Sequence, residues 1–153
     1  MSQDTYASAG SETATSSLTA AIWLLAATTR RARIQQIMGS ADAGAGAMVD
    51  EHIRWVVNRF TVKPTGGAVT PEPLDEDSPA AIITAESVET AAGTPTAGTE
   101  MIDQPIHMRS FLHWIPVPGH EIMVPAVAAN GVALRLSAPT YTGAVRGVIH
   151  HSE

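Results

Sequence analysis

At 153 residues with 44% hydrophobic residues, the chain is long enough for one domain with its own core and too short for two. Charged residues make up only 16%, against roughly 25% in a typical soluble domain, which tilts the surface toward burial against neighbours. A net charge of −6 and a single lysine, Lys63, argue against electrostatic capture of nucleic acid, and the lack of cysteine excludes disulfides and thiolate metal sites.

Residues 1–17 are rich in Ser, Thr, Ala and Gly, with no apolar period. Such a segment buries too little apolar surface to offset its ordering entropy. It predicts a flexible arm, free or laid across a neighbouring subunit, ahead of a single domain over 18–153. Leu18 to Ala27 is the longest apolar run; it is too short to span a bilayer, and no basic n-region of a secretory signal precedes it. Its alanines fit a helix and Ile22-Trp23-Leu24-Leu25 fits a strand, and periodicity alone does not separate the two. Arg31 to Met38 reads as a strand ending at Gly39. Arg30, Arg31 and Arg33 at its start either pair with carboxylates of a partner or form a solvated strand edge blunted by charge.

Ser40 to Met48 is a loop of small residues. Glu51 to Val62 alternates as a strand, with Ile53, Trp55 and Val57 on one face and His52, Arg54 and Asn58 on the other, Trp55 being a core residue. Lys63 to Pro79 is the longest interruption, rich in Pro and Gly and carrying Glu72, Asp75, Glu76 and Asp77. These four lack the alternating oxygen ligands and central glycine of a calcium loop. They read as a solvated acidic loop or as a contact for a neighbour's arginines. Ala80 to Thr90 and Glu100 to Met108 supply two more strands around a turn at Ala91 to Gly98, with Pro105 marking an edge or bulge.

The last third holds four short strands, Ser110 to Val117, Glu121 to Val127, Gly131 to Ala138 and Tyr141 to Ser152. Turn signals separate them at Val117-Pro118-Gly119-His120, Ala129-Asn130-Gly131 and Ala138-Pro139-Thr140. Asn130-Gly131 has the chemistry of a tight hairpin turn, because both residues tolerate positive φ. Val132, Leu134, Leu136 and Ala138 point one way and Ala133, Arg135 and Ser137 the other.

The six histidines, His52, His107, His113, His120, His150 and His151, are the chain's candidate ligands and bases. His120-Glu121 does not open a zinc-protease motif, since Val124 stands where the second histidine belongs. His150 and His151 are adjacent and face opposite sides of a strand. His107 and His113 are placed to meet across a hairpin, with no carboxylate beside them. No nucleophile elbow, phosphate loop or dinucleotide fingerprint occurs. No catalytic, cofactor-binding or metal-ligating residue is assigned, and an enzyme is not expected. A cupin-like enzyme would need histidines and a carboxylate converging inside its barrel.

About eight strands divided by Pro/Gly turns predict an all-β chain, a jelly-roll-like two-sheet β-sandwich behind a flexible N-terminal arm. Several segments resemble small structural proteins of tailed bacteriophages: Thr29-Arg30-Arg31-Ala32-Arg33-Ile34, Asn58-Arg59-Phe60-Thr61 and Val69-Thr70-Pro71-Glu72-Pro73-Leu74-Asp75. So do Phe111 through Pro125 and Gly131-Val132-Ala133-Leu134-Arg135-Leu136. The likeness covers most of the chain from about Thr28 onward and is similar to virion proteins that serve as capsid cement or decoration subunits. It implies a homotrimer on the capsid exterior, bound to the major capsid protein, with neither nucleic acid nor membrane as partner. On composition alone, Arg30, Arg31 and Arg33 and the acidic Glu72, Asp75, Glu76 and Asp77 are candidate complementary contacts. A tail, neck or baseplate component, or a glycan- or receptor-binding jelly roll, is the alternative. The glycan reading would put aromatics on exposed loops, whereas Trp23, Trp55 and Trp114 lie in apolar strand-like runs.

Overall fold

The alternating and continuous apolar runs become strands wherever they find partners of the same kind. The structure, a computed structural model, describes residues 4–42, 50–96 and 98–153. In chain order its first strands are β1 (Thr5–Thr13), β2 (Thr19–Leu25), β3 (Ala32–Ala41), β4 (His52–Val62), β5 (Thr65–Val69) and β6 (Glu72–Pro73). They are followed by β7 (Thr84–Ala91), β8 (Thr94–Pro95), β9 (Ile102–His107), β10 (Phe111–Trp114), β11 (Ile122–Val124), β12 (Gly131–Ser137) and β13 (Ala144–Ser152). All pairings are antiparallel. The first sheet runs β10-β3-β13-β1-β6, with β11 also on β3; the second runs β5-β7-β2-β12-β4-β8, with β9 also on β4.

The expected sandwich of jelly-roll type is present. Eight of its strands, β1, β2, β3, β4, β9, β10, β12 and β13, follow that winding. The first, eighth, third and sixth of them make one sheet, and the second, seventh, fourth and fifth make the other, which is the winding of a double Greek key. Lys63 to Pro79 is not the structureless loop expected. It contains β5, which extends the second sheet, and β6, which extends the first.

Within the expected arm, Thr5–Thr13 form a strand of the sandwich, and residues 1–3 lie outside the described residues. Thr5 to Thr13 pair with β13 along their whole length, and β6 pairs with the other side of β1 at Tyr6 and Ala7. The small side chains that suggested disorder suit a strand packed closely between sheets. Tyr6 and Ser8 are buried. Leu18 to Ala27 resolves as strand rather than helix, because β2 is buried on both faces, which is why its apolar run is continuous instead of alternating.

Between the sheets lie Ile22, Leu24, Ile37, Trp55, Val57, Leu134, Leu136 and Ile149. β3 does not stop at Gly39 but continues to Ala41, and Gly39 sits in a row with two more glycines. Gly10 pairs with Gly147, and Gly147 with Gly39, across three adjacent strands of the first sheet. A Cβ on Gly39 would lie 2.8 Å from the Trp55 ring, and one on Gly147 would lie 2.9 Å from Leu134. The absent side chains let the second sheet press against the first at this level.

The Asn130-Gly131 signal is read differently by the fold. Since β11 and β12 belong to different sheets, the segment between them is a crossover and not a hairpin, and Ala129 carries the positive φ, at 66°. Gly119, with φ of 89°, sits at the third position of the expected Val117–His120 turn, closed by the His120 N–H donating to the Val117 carbonyl at 2.9 Å.

Two outcomes are expected. Deleting residues 1–13 should abolish cooperative unfolding in a urea titration, since it removes the strand that pairs with the whole of β13; a retained sharp transition would show β1 to be dispensable. Gly39→Ala should cost about 1–3 kcal/mol by forcing the Trp55 ring to move. In a Trp55→Leu background the same substitution should cost at least about 1 kcal/mol less, a coupling that urea titrations of the four proteins would measure.

Candidate functional site

The two outer faces of the sandwich differ in what covers them. On the second sheet, Ala20, Trp23, Phe60 and Ala133 point away from the main core and form a small buried cluster of their own. Trp23 lies against Gly66 of β5, and Pro64, Gly93 and Pro95 border the same patch as Phe60. This face is thus closed by the chain's own edge strands. Trp23 and Trp55 are buried and Trp114 is half-buried, so neither of the first two is presented to a ligand.

The outer face of the first sheet is open. Alternation places Ala7 and Ala9 of β1, Val148 of β13, Met38 and Ser40 of β3 and Phe111 of β10 on it. No carboxylate points outward from these four strands. Arg33, at the start of β3, and Arg146 are the full charges these strands turn outward, and the Arg146 Nε donates to Asp42 Oδ2 at 2.8 Å. Gln36 Nε2 donates to His113 Nε2 at 2.7 Å. Large apolar side chains stand at the β10 end, with Phe111 63% exposed and Ile115 and Val117 similarly open.

The predicted contact residues fall at one end of this sheet. Arg30, Arg31 and Arg33 are exposed; Arg30 lies within electrostatic reach of Tyr6 and Arg33 of the Glu121 carboxylate. Glu72, Asp75, Glu76 and Asp77 are also exposed, on β6 and the turn after it. The structure does not bring the two groups together. Arg33 pairs with Ser152 and Ser152 with Thr5, whose carbonyl accepts the Leu74 N–H at 2.8 Å, so two strands separate Arg33 from the acidic segment. Arg59, which sequence reasoning passed over, reaches across the open end of the sandwich. Its Nη1 donates to the Met123 carbonyl at 2.6 Å, and Arg31, Arg59, Met123 and Pro125 line a cleft there.

His107 and His113 do not meet, because β9 and β10 lie in different sheets; His107 Nε2 is 2.6 Å from Asp50 Oδ1, and His113 is held by Gln36. The His107 contact holds the Asp50 carboxyl below its ordinary range. Among the described residues no group of three or more His, Asp or Glu side chains is placed to hold a metal ion.

One buried polar cluster carried no sequence signal. His151 is 0% exposed and stacks on Tyr6 with ring centroids 5.5 Å apart. Its Nε2 is 3.5 Å from Glu153 Oε1, and the Glu153 carboxylate accepts the Ile82 and Ile83 N–H groups. Tyr6 donates its hydroxyl proton to the Pro79 carbonyl at 3.0 Å. Together these contacts tie the ends of β1 and β13 to the segment before β7. Burial pushes His151 below its usual range, opposed by Glu153, and burial followed by Asp4 and Glu153 pushes the Tyr6 phenol up. Tyr6, His151 and Glu153 stand 145 or more positions apart in pairs with Tyr6, so only the pairing of β1 with β13 makes them neighbours.

No protein-family model matches the chain, and no curated protein or solved structure does either.

The His151 environment makes a pH prediction. A histidine whose folded pKa lies below the ordinary 6.5 is protonated first in the unfolded chain, so its contribution to stability is complete above about pH 6.5 and lost as pH falls. Thermal melts should shift down between pH 7.5 and 5.5, and His151→Phe, which keeps the stack on Tyr6, should shift less. Equal shifts would show that His151 does not carry the effect. His150 is lowered by burial too, and His150→Gln in the same series reports its share.

Proposed function

We propose that the chain is a capsid decoration subunit, a jelly roll that binds the outside of a tailed-phage shell as trimers and holds neighbouring capsid proteins together. The observation that carries this reading is the open outer face of the first sheet. It spans four strands without an outward carboxylate in a chain of net charge −6, and exposed apolar side chains border it. Charge-depleted centres with polar rims are how protein-binding surfaces are built. The quoted sequence segments, with their likeness to virion proteins, point to the capsid as the partner.

The mechanism is mass-action linkage. A subunit that binds only the assembled, expanded shell stabilises that shell by its own binding free energy, about 2.7 kcal/mol per site at a hundredfold excess over Kd. Many sites, each bridging adjacent capsid proteins, oppose internal pressure together. The subunit needs a rigid scaffold for this, and the two packed sheets supply it.

Mixing the purified chain with expanded, DNA-free shells of its phage and sedimenting them should give saturable binding in a fixed ratio and shells that survive higher temperatures. Val148→Asp would bury an unpaired carboxylate in the contact and should weaken binding at least about tenfold. Failure of the wild-type chain to sediment with shells would end the capsid reading.

A further inference from the structure

We propose that the cleft lined by Arg31, Arg59, Met123 and Pro125 binds the acidic segment Glu72–Asp77 of a second copy of the chain, so that copies join head to tail. The two surfaces match in chemistry. The cleft, about 390 Å³, joins two guanidinium groups to an apolar floor of Met123 and Pro125, and among the described residues no carboxylate lines it. Arg31 makes no hydrogen bond among the described residues, and Arg59 spends Nη1 on the Met123 carbonyl while its other N–H groups remain. Arg30 and Arg33 flank this end. The acidic segment reads Glu72-Pro73-Leu74-Asp75-Glu76-Asp77, a 58% exposed leucine set among four carboxylates. Leu74 fits the Met123 and Pro125 floor while Glu72 or Asp75 meets guanidinium groups, an arrangement in which arginine forms paired hydrogen bonds.

The segment is held in a shape ready for binding. The Leu74 N–H donates to Thr5 O, Ser78 Oγ donates to Asp4 Oδ1 at 2.8 Å, and the Ser78 N–H donates to the Asp75 carbonyl at 3.0 Å. Asp75 Oδ1 also accepts the Asp77 N–H at 3.1 Å. A partner that is already ordered loses less entropy on docking.

Position decides that the contact is between molecules. Met123, Arg33, Ser152 and Thr5 stand in one row across the first sheet, and Leu74 follows Thr5. At about 4.8 Å per strand, roughly 19 Å separates the cleft from the acidic segment. The bonds that anchor the segment to β1 would have to break before it could reach its own cleft. Lying at the same end of the sheet but on opposite edges, the two surfaces form a heterologous pair, which closes into a ring when the rotation between copies allows. The contact does not depend on the capsid reading, although a ring of three would supply the trimer proposed above.

Sedimentation velocity on the full chain at about 100 µM, in 50 mM and 500 mM NaCl, tests the proposal. The expected result is an oligomer at low salt that falls apart at high salt. Arg31→Glu and Asp75→Lys/Glu76→Lys should each weaken association at least tenfold, and joining all three substitutions in one chain should restore it. Leu74→Asp should also weaken association at least tenfold, and because Leu74 is exposed its variant should keep the wild-type melting temperature. A chain that stays monomeric at low salt overturns the proposal. So does an oligomer unaffected by Arg31→Glu and Leu74→Asp, or a triple variant that does not reassemble. Because no shells are present, such a failure removes this contact and leaves shell binding to be judged by its own sedimentation experiment.

Discussion

The glycine row across the first sheet, Gly10-Gly147-Gly39, sets how closely the two sheets approach. At each of these positions a Cβ would come within 3.0 Å of an atom contributed by the second sheet or its neighbours, Ser87 and the Ala21 carbonyl over Gly10, Leu134 over Gly147 and the Trp55 ring over Gly39. Glycine weakens a strand on its own account, by roughly 0.5–1 kcal/mol relative to alanine. Here that cost is offset by the burial of Trp55 and Leu134 against the bare backbone, each a side chain whose full burial is worth about 1.5 kcal/mol or more. The middle of the sandwich is thin, and the large side chains of one sheet occupy the space left empty by the other.

The position of β1 follows from the same arrangement. Only a strand of small residues can lie beside β13 and continue the row through Gly10, and residues 5–13 are such a strand. Low apolar content therefore marks close packing here instead of disorder. The winding order then brings the start of β1 beside the end of β13, and with it Tyr6 beside His151. A chain whose first and last strands are neighbours has a high proportion of contacts between distant residues, a topology that folds slowly.

The distribution of charge separates the two outer faces. On the second sheet, the Lys63–Glu86 ion pair joins the segments beside the outer aromatic cluster, and Arg54 pairs with Asp103 between β4 and β9. The first sheet keeps its charges at its ends and edges, and its centre is left to Ala, Ser, Thr, Val and Met. In a protein with so few charges this segregation leaves one broad surface with little desolvation penalty for a partner, together with an arginine cluster and an acidic segment too far apart to neutralise one another. Exposed ion pairs contribute little to stability, so the separation of these charges costs the fold almost nothing.

The amino-acid sequence determined the class of fold. Alternation along Ile53-Arg54-Trp55 and Val132 to Leu136, with turn residues such as Pro118-Gly119, is local information, and it placed strands close to where β4, β10, β11, β12 and β13 lie. It identified Trp55, Val132, Leu134 and Leu136 as core for the same reason. Partner choice was not legible, because antiparallel pairing joins residues more than a hundred positions apart, as Thr5 to Ser152. Tertiary structure alone decided that residues 5–13 are a strand paired along β13, that Thr19–Leu25 is a strand buried on both sides, and that His107 and His113 belong to different sheets. It also brought Arg59 beside Arg31 and His151 beside Tyr6 and Glu153. Side-chain chemistry is written in the order of residues, but which side chains become neighbours depends on backbone hydrogen bonds that any residue except proline can make.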